Sequence, residues 1–430
     1  MTFNSNAQEN NVKYFSNDEG VLSIMYHRFN EFKYPSTNIS MDIFKKHVEL
    51  ILDANLTFYH PKDFENEFNI PKKEKKILLT IDDGERIIDF YGGHAVVPLG
   101  YGHKGYIDAV QTQMKKLLFQ SNLLPLDIRA NTASQLLSIS PKNLKKVFFV
   151  NSGSEANENA LKIACHYTKR KKILSISHAF HGRTAAAAAV TWGSESWYGF
   201  PSKPFEVEFI PRNNSDLARK MINSDIAAVI VEPIQGVAGA FDLSEEFLKS
   251  IRDACNDHSV LMIVDEVQSG MGRSGKYFAI QNFNIEPDIM TAAKSLGGGL
   301  PCSVIFINSL LDETIKKGEL GSTFGGNPVI CSAIEFVIQL IKEKNILKNV
   351  IEREREIREF CITGPVNEIQ GKGLLLGLHT ELPAQEIQKK LLKKNILTGL
   401  SSDPNILRLL PPLVLRSEHI ERLSEALSAI

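Results

Sequence analysis

From about residue 147 onward the apolar positions follow two alternating patterns. Short continuous runs rich in β-branched residues lie at 146–150, 227–231, 261–264 and 304–307. Between them, at 155–167 and 246–256, apolar residues return at helical spacing. Unbroken apolar strands separated by helices predict an α/β fold whose mostly parallel sheet is buried on both faces. In such sheets ligand chemistry gathers at the carboxyl ends of the strands. An amphipathic helix is expected at 327–342 and an exposed, charge-laced one around 352–359. Short strands at 374–379 and 406–409 then read as part of a smaller α+β domain. The alanine run at 185–189 suits a buried helix. Residues 1–84 differ: they are rich in Asn, Phe and Lys, and close on a strand-like 76–81 followed by Asp82-Asp83-Gly84.

Composition narrows the classes. The 430 residues carry 49 basic and 50 acidic side chains, a net charge of −1, so no global field attracts nucleic acid or an anionic membrane surface. The run Lys72-Lys73-Glu74-Lys75-Lys76 reads as a solvated face. Five cysteines, Cys165, Cys255, Cys302, Cys331 and Cys361, are far apart and form no CxxC pair, which argues for free thiols in a reducing compartment. The polar N-terminus lacks the apolar core of a signal peptide. No run reaches the roughly 18 apolar residues of a membrane span. A cytoplasmic location is expected.

Four features stand at the ends of expected strands. Val150-Asn151-Ser152-Gly153-Ser154-Glu155 runs from a strand through a Gly/Ser turn into a helix, whose free N–H groups and dipole suit a phosphate; a Ser N-cap without ligand is the plainer reading. Asp265 ends an apolar run, where a carboxylate needs a partner. It could keep the ring nitrogen of a pyridoxal cofactor protonated, or it could be a cap or a buried ion pair. Lys294 follows an apolar strand and precedes Gly297-Gly298-Gly299, the desolvated setting a Schiff-base lysine requires. His178-Ala179-Phe180-His181-Gly182-Arg183 offers an aromatic ring for stacking and a guanidinium for a carboxylate. His178 and His181 have no companion ligands, so no metal is expected there.

Together, in this order and spacing, these features resemble the class III pyridoxal-phosphate aminotransferases of the ornithine and acetylornithine type. The resemblance covers residues 84–430. It includes Phe90-Tyr91-Gly92-Gly93-His94-Ala95-Val96, Val231-Glu232-Pro233-Ile234-Gln235-Gly236, Gly321-Ser322-Thr323-Phe324-Gly325-Gly326-Asn327-Pro328 and Arg408-Leu409-Leu410-Pro411-Pro412. It implies fold type I of the pyridoxal-phosphate transferases: a seven-stranded sheet in a large domain at 85–340 and a small α+β domain at 341–430. By the same resemblance the cofactor is pyridoxal 5'-phosphate, bound covalently by Lys294. Asp265 would face the ring nitrogen, Gly153 and Ser154 the phosphate, Phe180 the ring face and Gln268 the ring oxygen. Thr323 would reach the phosphate of a neighbouring subunit, which implies a homodimer with shared sites. Arg183, Ser322 and Arg408 look like the set that holds the substrate carboxylate. Family members acting on ornithine often carry a glutamate where this chain has Val237, which leaves the amine donor open.

Two motifs compete with this reading. Gly100-Tyr101-Gly102-His103-Lys104-Gly105 fits GxGxxG, but the strand and acid of a dinucleotide site do not follow. Within 1–84, residues 20–27 and 76–84 resemble the start of a NodB-type polysaccharide deacetylase. The HxxxH pair that would complete its metal site is missing, so this segment is expected to be non-catalytic. The expected activity is transfer of an amino group from an acetylornithine- or ornithine-like donor to 2-oxoglutarate. The alternative within the fold is a glutamate-semialdehyde-type aminomutase or another class III ω-aminotransferase; outside it stand a carbohydrate deacetylase and a non-catalytic chimera.

Overall fold

A computed structural model of the chain describes residues 21–26, 28–29, 38–39, 41–53, 57–58, 76–81 and 86–430. The chain divides into two compact units, Met1–Arg86 and Ile87–Ile430. In the first, strands β1 (Val21–Tyr26), β2 (Thr57–Phe58) and β3 (Lys76–Ile81) form a parallel sheet in the order β1-β3-β2, with a helix at Met41–Asp53. The expected strand at 76–81 is present. Asp82 and Asp83 lie outside the described residues, as does His27.

The second unit holds a seven-stranded sheet. Its strands are β4 (Leu144–Val150), β5 (Lys172–Ile176), β6 (Glu206–Ile210), β7 (Ile226–Val231), β8 (Leu261–Asp265), β9 (Ile289–Ala292) and β10 (Ser303–Asn308). They lie in the order β4-β10-β9-β8-β7-β5-β6. β10 alone is reversed relative to the other six strands, running antiparallel to both β4 and β9. The apolar runs are continuous because both faces are covered. On one face Val229, Val231, Met262, Val264, Met290 and Ala292 join one core cluster. The alternate residues Ala228, Ile230, Leu261, Ile263 and Ile289 join a second. Strand periodicity thus feeds two cores from one sheet.

Helix Gly153–Thr168 follows β4 and helix Glu245–Asp257 follows β7. The long helix Pro328–Glu343 starts where Asn327 Oδ1 accepts from the N–H of Val329 and Ile330, with proline in its first turn. The charged stretch is half of helix Ile346–Phe360. Beyond it, β11 (Val366–Lys372), β12 (Leu375–Thr380), β13 (Gly399–Leu400) and β14 (Ile406–Leu409) form an antiparallel sheet in the order β11-β12-β14-β13. The short strand Ile88–Asp89 pairs with Ile396–Leu397, so the start of this unit is tied to its C-terminal part. The GxGxxG stretch forms turns, with Gly100 and Gly102 at positive φ, that lead into helix Lys104–Lys116.

Candidate active site

At the carboxyl edge of the sheet lies a pocket of about 410 Å³. Its walls come from the ends of strands: Gly153 and Ser154 after β4, Phe180 and His181 after β5, Glu232 after β7, Asp265 and Gln268 at β8, Lys294 after β9. Parallel strands ending together bring these distant residues to one place.

Asp265 is buried and fully engaged. Its Oδ2 accepts from Asn157 Nδ2 at 2.7 Å and lies 2.8 Å from His181 Nδ1, while Oδ1 accepts from Val267 N at 2.9 Å. Asn157 is itself oriented by Thr291, whose hydroxyl donates to Asn157 Oδ1 at 2.7 Å. Beside this group stands Glu232, whose carboxylate accepts from the N–H of Phe180 at 2.9 Å and of Gly236 at 3.3 Å. Burial pushes the Glu232 carboxyl up to about 7, His181 pulling it down and Asp265 adding to the rise. Glu266 points away from the pocket, to Ser269 Oγ and Ile280 N, and burial pushes it to about 7 as well.

Lys294 lies among these acids with φ of +48°, a left-handed backbone unusual for a residue with a side chain. Burial lowers its ammonium below the usual lysine range, against the pull of Asp265 and Glu232, with Arg408 and Arg273 adding to the fall. A lysine so placed holds its amine closer to the neutral, nucleophilic form. The helix Gly153–Thr168 starts at the pocket, capped by Ser152 Oγ on Glu155 N, and its first N–H groups are out of reach of intrahelical carbonyls. Gln268 Oε1 and His181 Nε2 are buried without partners.

The structure therefore brings Gly153, Ser154, Phe180, Asp265, Gln268 and Lys294 together. The remaining sequence candidates lie outside this pocket's lining in a single chain. Arg408, buried on β14, donates from Nε to Leu400 O at 2.6 Å, from Nη1 to Gly236 O at 3.1 Å and from Nη2 to Tyr91 Oη at 2.9 Å. Arg183 is exposed over the Trp197 ring, 4.8 Å from its centre. Ser322 Oγ takes a bond from Asn151 Nδ2 at 3.1 Å, which ties its loop to the pocket wall. Thr323 is exposed. His178 and His181 separate: His178 is exposed near Trp192, and His181 is buried on Asp265. Sequence reasoning missed Glu232, Asn157 and His181 as parts of the site. An acid and an amide inside otherwise apolar elements were the available signal.

The model of the class III aminotransferases matches residues 59–430. The chain belongs to this family. The matched stretch begins 25 residues before the start expected at 84. Among curated relatives of the class III aminotransferase, acetylornithine aminotransferase of Methanocaldococcus jannaschii is 35% identical over 81% of this chain and 89% of its own length. A [LysW]-aminoadipate semialdehyde/glutamate semialdehyde transaminase of Sulfolobus acidocaldarius is 34% identical, covering 83% of this chain and 93% of its own. Among solved structures, acetylornithine aminotransferase from Elizabethkingia anophelis superposes with a TM-score of 0.72 at 28% identity, over 81% of this chain and 91% of that one. Ornithine aminotransferase from Toxoplasma gondii gives 0.76 at 25% identity, over 81% and 86%. The protein is a transaminase of fold type I, and its cofactor is pyridoxal phosphate. The residues present fit that group: a helix start for a phosphate, a bonded carboxylate for a ring N–H, an unpartnered buried amide oxygen, and a desolvated lysine. Among the described residues no helix is long and apolar enough to cross a membrane.

Proposed function

We propose that the chain moves an amino group from the terminal carbon of an acetylornithine-like donor to 2-oxoglutarate. The observation that carries the reading is Lys294, desolvated at the end of β9 in the pocket that Asp265 also lines. The names of the relatives support the donor class. When bound, pyridoxal phosphate supplies a carbonyl for the amine and a ring that accepts electrons. Gly153 and Ser154 would hold its phosphate at the helix start, Phe180 would lie against the ring face and Gln268 beside the ring oxygen. Asp265, oriented by Asn157 and His181, would hold the ring N–H. Lys294 Nζ, freed for the donor amine, would be the group that holds and moves the proton at the donor carbon. With the oxo acid the same residues run the sequence backwards. Arg408, Arg183 and Ser322 are assigned to the substrate carboxylate.

Thr323 is assigned to the phosphate of a second copy, which makes the working unit a homodimer. Leu123, Leu124 and Phe324, all exposed, lie near it in sequence or on the facing loop. The reaction is assigned to the cytoplasm, in keeping with five free cysteines. Residues 1–84 are assigned no deacetylase activity, since Asp82 and Asp83 lack partner histidines in the sequence.

A screen of donors with 2-oxoglutarate tests this reading. Acetylornithine or ornithine should give glutamate, and conversion of glutamate semialdehyde without an oxo acid would favour the aminomutase instead. Sedimentation with absorbance detection should show cofactor leaving as the dimer dissociates. Stoichiometric zinc on the chain would overturn the reading of residues 1–84.

A further inference from the structure

Gly92, Gly93, His94 and Ala95 have φ of +55°, +59°, +65° and +65°, one turn of left-handed helix. Two of the four carry a Cβ, for which this conformation is costly, and such strain persists only where the surroundings impose it. Here they do. Asp89 Oδ1 accepts from Tyr91 N at 2.6 Å and Gly92 N at 2.9 Å. Ala95 O accepts from Ser295 Oγ at 2.7 Å, beside Lys294. His94 O accepts from Gln268 Nε2 at 3.4 Å. A side chain on Gly92 would put its Cβ 2.7 Å from the carbonyl oxygen of Leu410. The turn is therefore built against residues of the site.

It carries a directed hydrogen-bond line. Arg408 Nη2 lies 2.9 Å from Tyr91 Oη, and Tyr91 Oη lies 2.7 Å from His94 Nδ1. A guanidinium only donates, so Tyr91 Oη accepts from Arg408. The single phenol proton is then free to go to His94 Nδ1. In that arrangement the imidazole proton sits on Nε2, and the His94 side chain is exposed. A second proton would reverse the Tyr91 bond and face the positive charges of Arg408 and Lys294; burial, then these two charges, hold His94 below the usual imidazole range.

We propose that His94 is a specificity-determining residue whose Nε2–H donates to a carboxylate oxygen of the substrate alongside Arg408, with Tyr91 as the positioning residue that orients both. Three of the five Arg408 N–H groups are taken by Leu400, Gly236 and Tyr91, which leaves two for the same carboxylate. The inference rests on the pocket being a transaminase site with a dicarboxylate acceptor.

The test uses the full chain loaded with pyridoxal phosphate and glutarate, an unreactive dicarboxylate, titrated by the change in cofactor absorbance. His94→Asn keeps a residue that tolerates the left-handed turn and an oxygen for Tyr91, but it lacks the reach of Nε2. It should bind glutarate about tenfold more weakly, the loss of one bond to a charged group. His94→Gln, which restores a donor at longer reach, should recover most of that loss, and Tyr91→Phe should weaken binding by a similar factor. Nitrogen-15 spectra of the imidazole should show the parent protonated at Nε2, and a tautomer mixture in Tyr91→Phe. Glutarate binding unchanged in His94→Asn, no glutarate binding by the parent, or a parent ring protonated at Nδ1 would each overturn the proposal. Turnover of acetylornithine by the parent is read separately: its absence alongside the expected glutarate pattern counts against the donor assignment and leaves His94 in place.

Discussion

The two ends of the site are built differently. At one end Asp265, Glu232 and Lys294 sit at the carboxyl ends of neighbouring strands, each a short step from an apolar run. At the other, Arg408 on the small sheet meets Tyr91 from the start of the unit, 317 residues away in sequence. The first end inherits its geometry from one rigid sheet. The second exists only when chain segments from opposite ends of the unit are docked, as the pairing of Ile88–Asp89 with Ile396–Leu397 does. On the proposed roles, the difference shows where each function can fail: the chemistry at the sheet edge, carboxylate recognition at the docking of these segments.

The largest effect should come from Lys294→Ala. Loss of the group that moves the proton should lower turnover by about 10⁴-fold or more while the fold is retained. Borohydride, which fixes cofactor to the parent, should fix none to the variant; fixation at another lysine in both would remove Lys294 from its role. Next, Asp265→Ala leaves Asn157 and His181 without their shared partner. Turnover should fall on the order of a hundredfold, and denaturant unfolding should show about 1–3 kcal/mol lost.

Arg408→Lys probes the other end. A single ammonium cannot replace three bonds in a fork, so KM for 2-oxoglutarate should rise roughly tenfold with kcat less affected. Equal losses in both would mean that Arg408 supports chemistry as well as binding.

Glu232→Gln asks whether the buried acid is held neutral. Its carboxyl in the fold titrates at about 7, above the value near 4.5 expected when unfolded. Between those values the native state holds a proton that the unfolded chain has released. Its contribution is therefore complete at low pH and is lost as pH rises through the window. Relative to Glu232→Gln, the parent should lose stability from about pH 4.5 to 7, by at most about 3 kcal/mol, and change no further above that. A difference that is flat with pH would place the proton elsewhere among Glu232, His181 and Asp265.

The smallest effect belongs to a helix far from either end. Ser244 Oγ caps helix Glu245–Asp257 through Phe247 N, so Ser244→Ala should cost about 1 kcal/mol in unfolding and nothing in turnover.

The sequence by itself determined the sheet and the chemistry at its edge. Continuous apolar runs long enough for a strand can form only a sheet covered on both faces, and Asp265 and Lys294 announce themselves as polar residues at the ends of such runs. The strand 406–409 and the helix at 185–189 were legible for the same local reason. Only the tertiary structure decided which partners those residues have. Asn157 and His181 meet on Asp265 from two separate elements, and Glu232 becomes a buried acid because the Phe180 and Gly236 N–H groups converge on it. The left-handed turn at Gly92–Ala95 follows from contacts with Asp89, Gln268 and Ser295, and the line from Arg408 through Tyr91 to His94 from chain segments far apart in sequence. No local pattern of hydrophobicity encodes such contacts, because they are made by single hydrogen bonds between residues far apart in the chain.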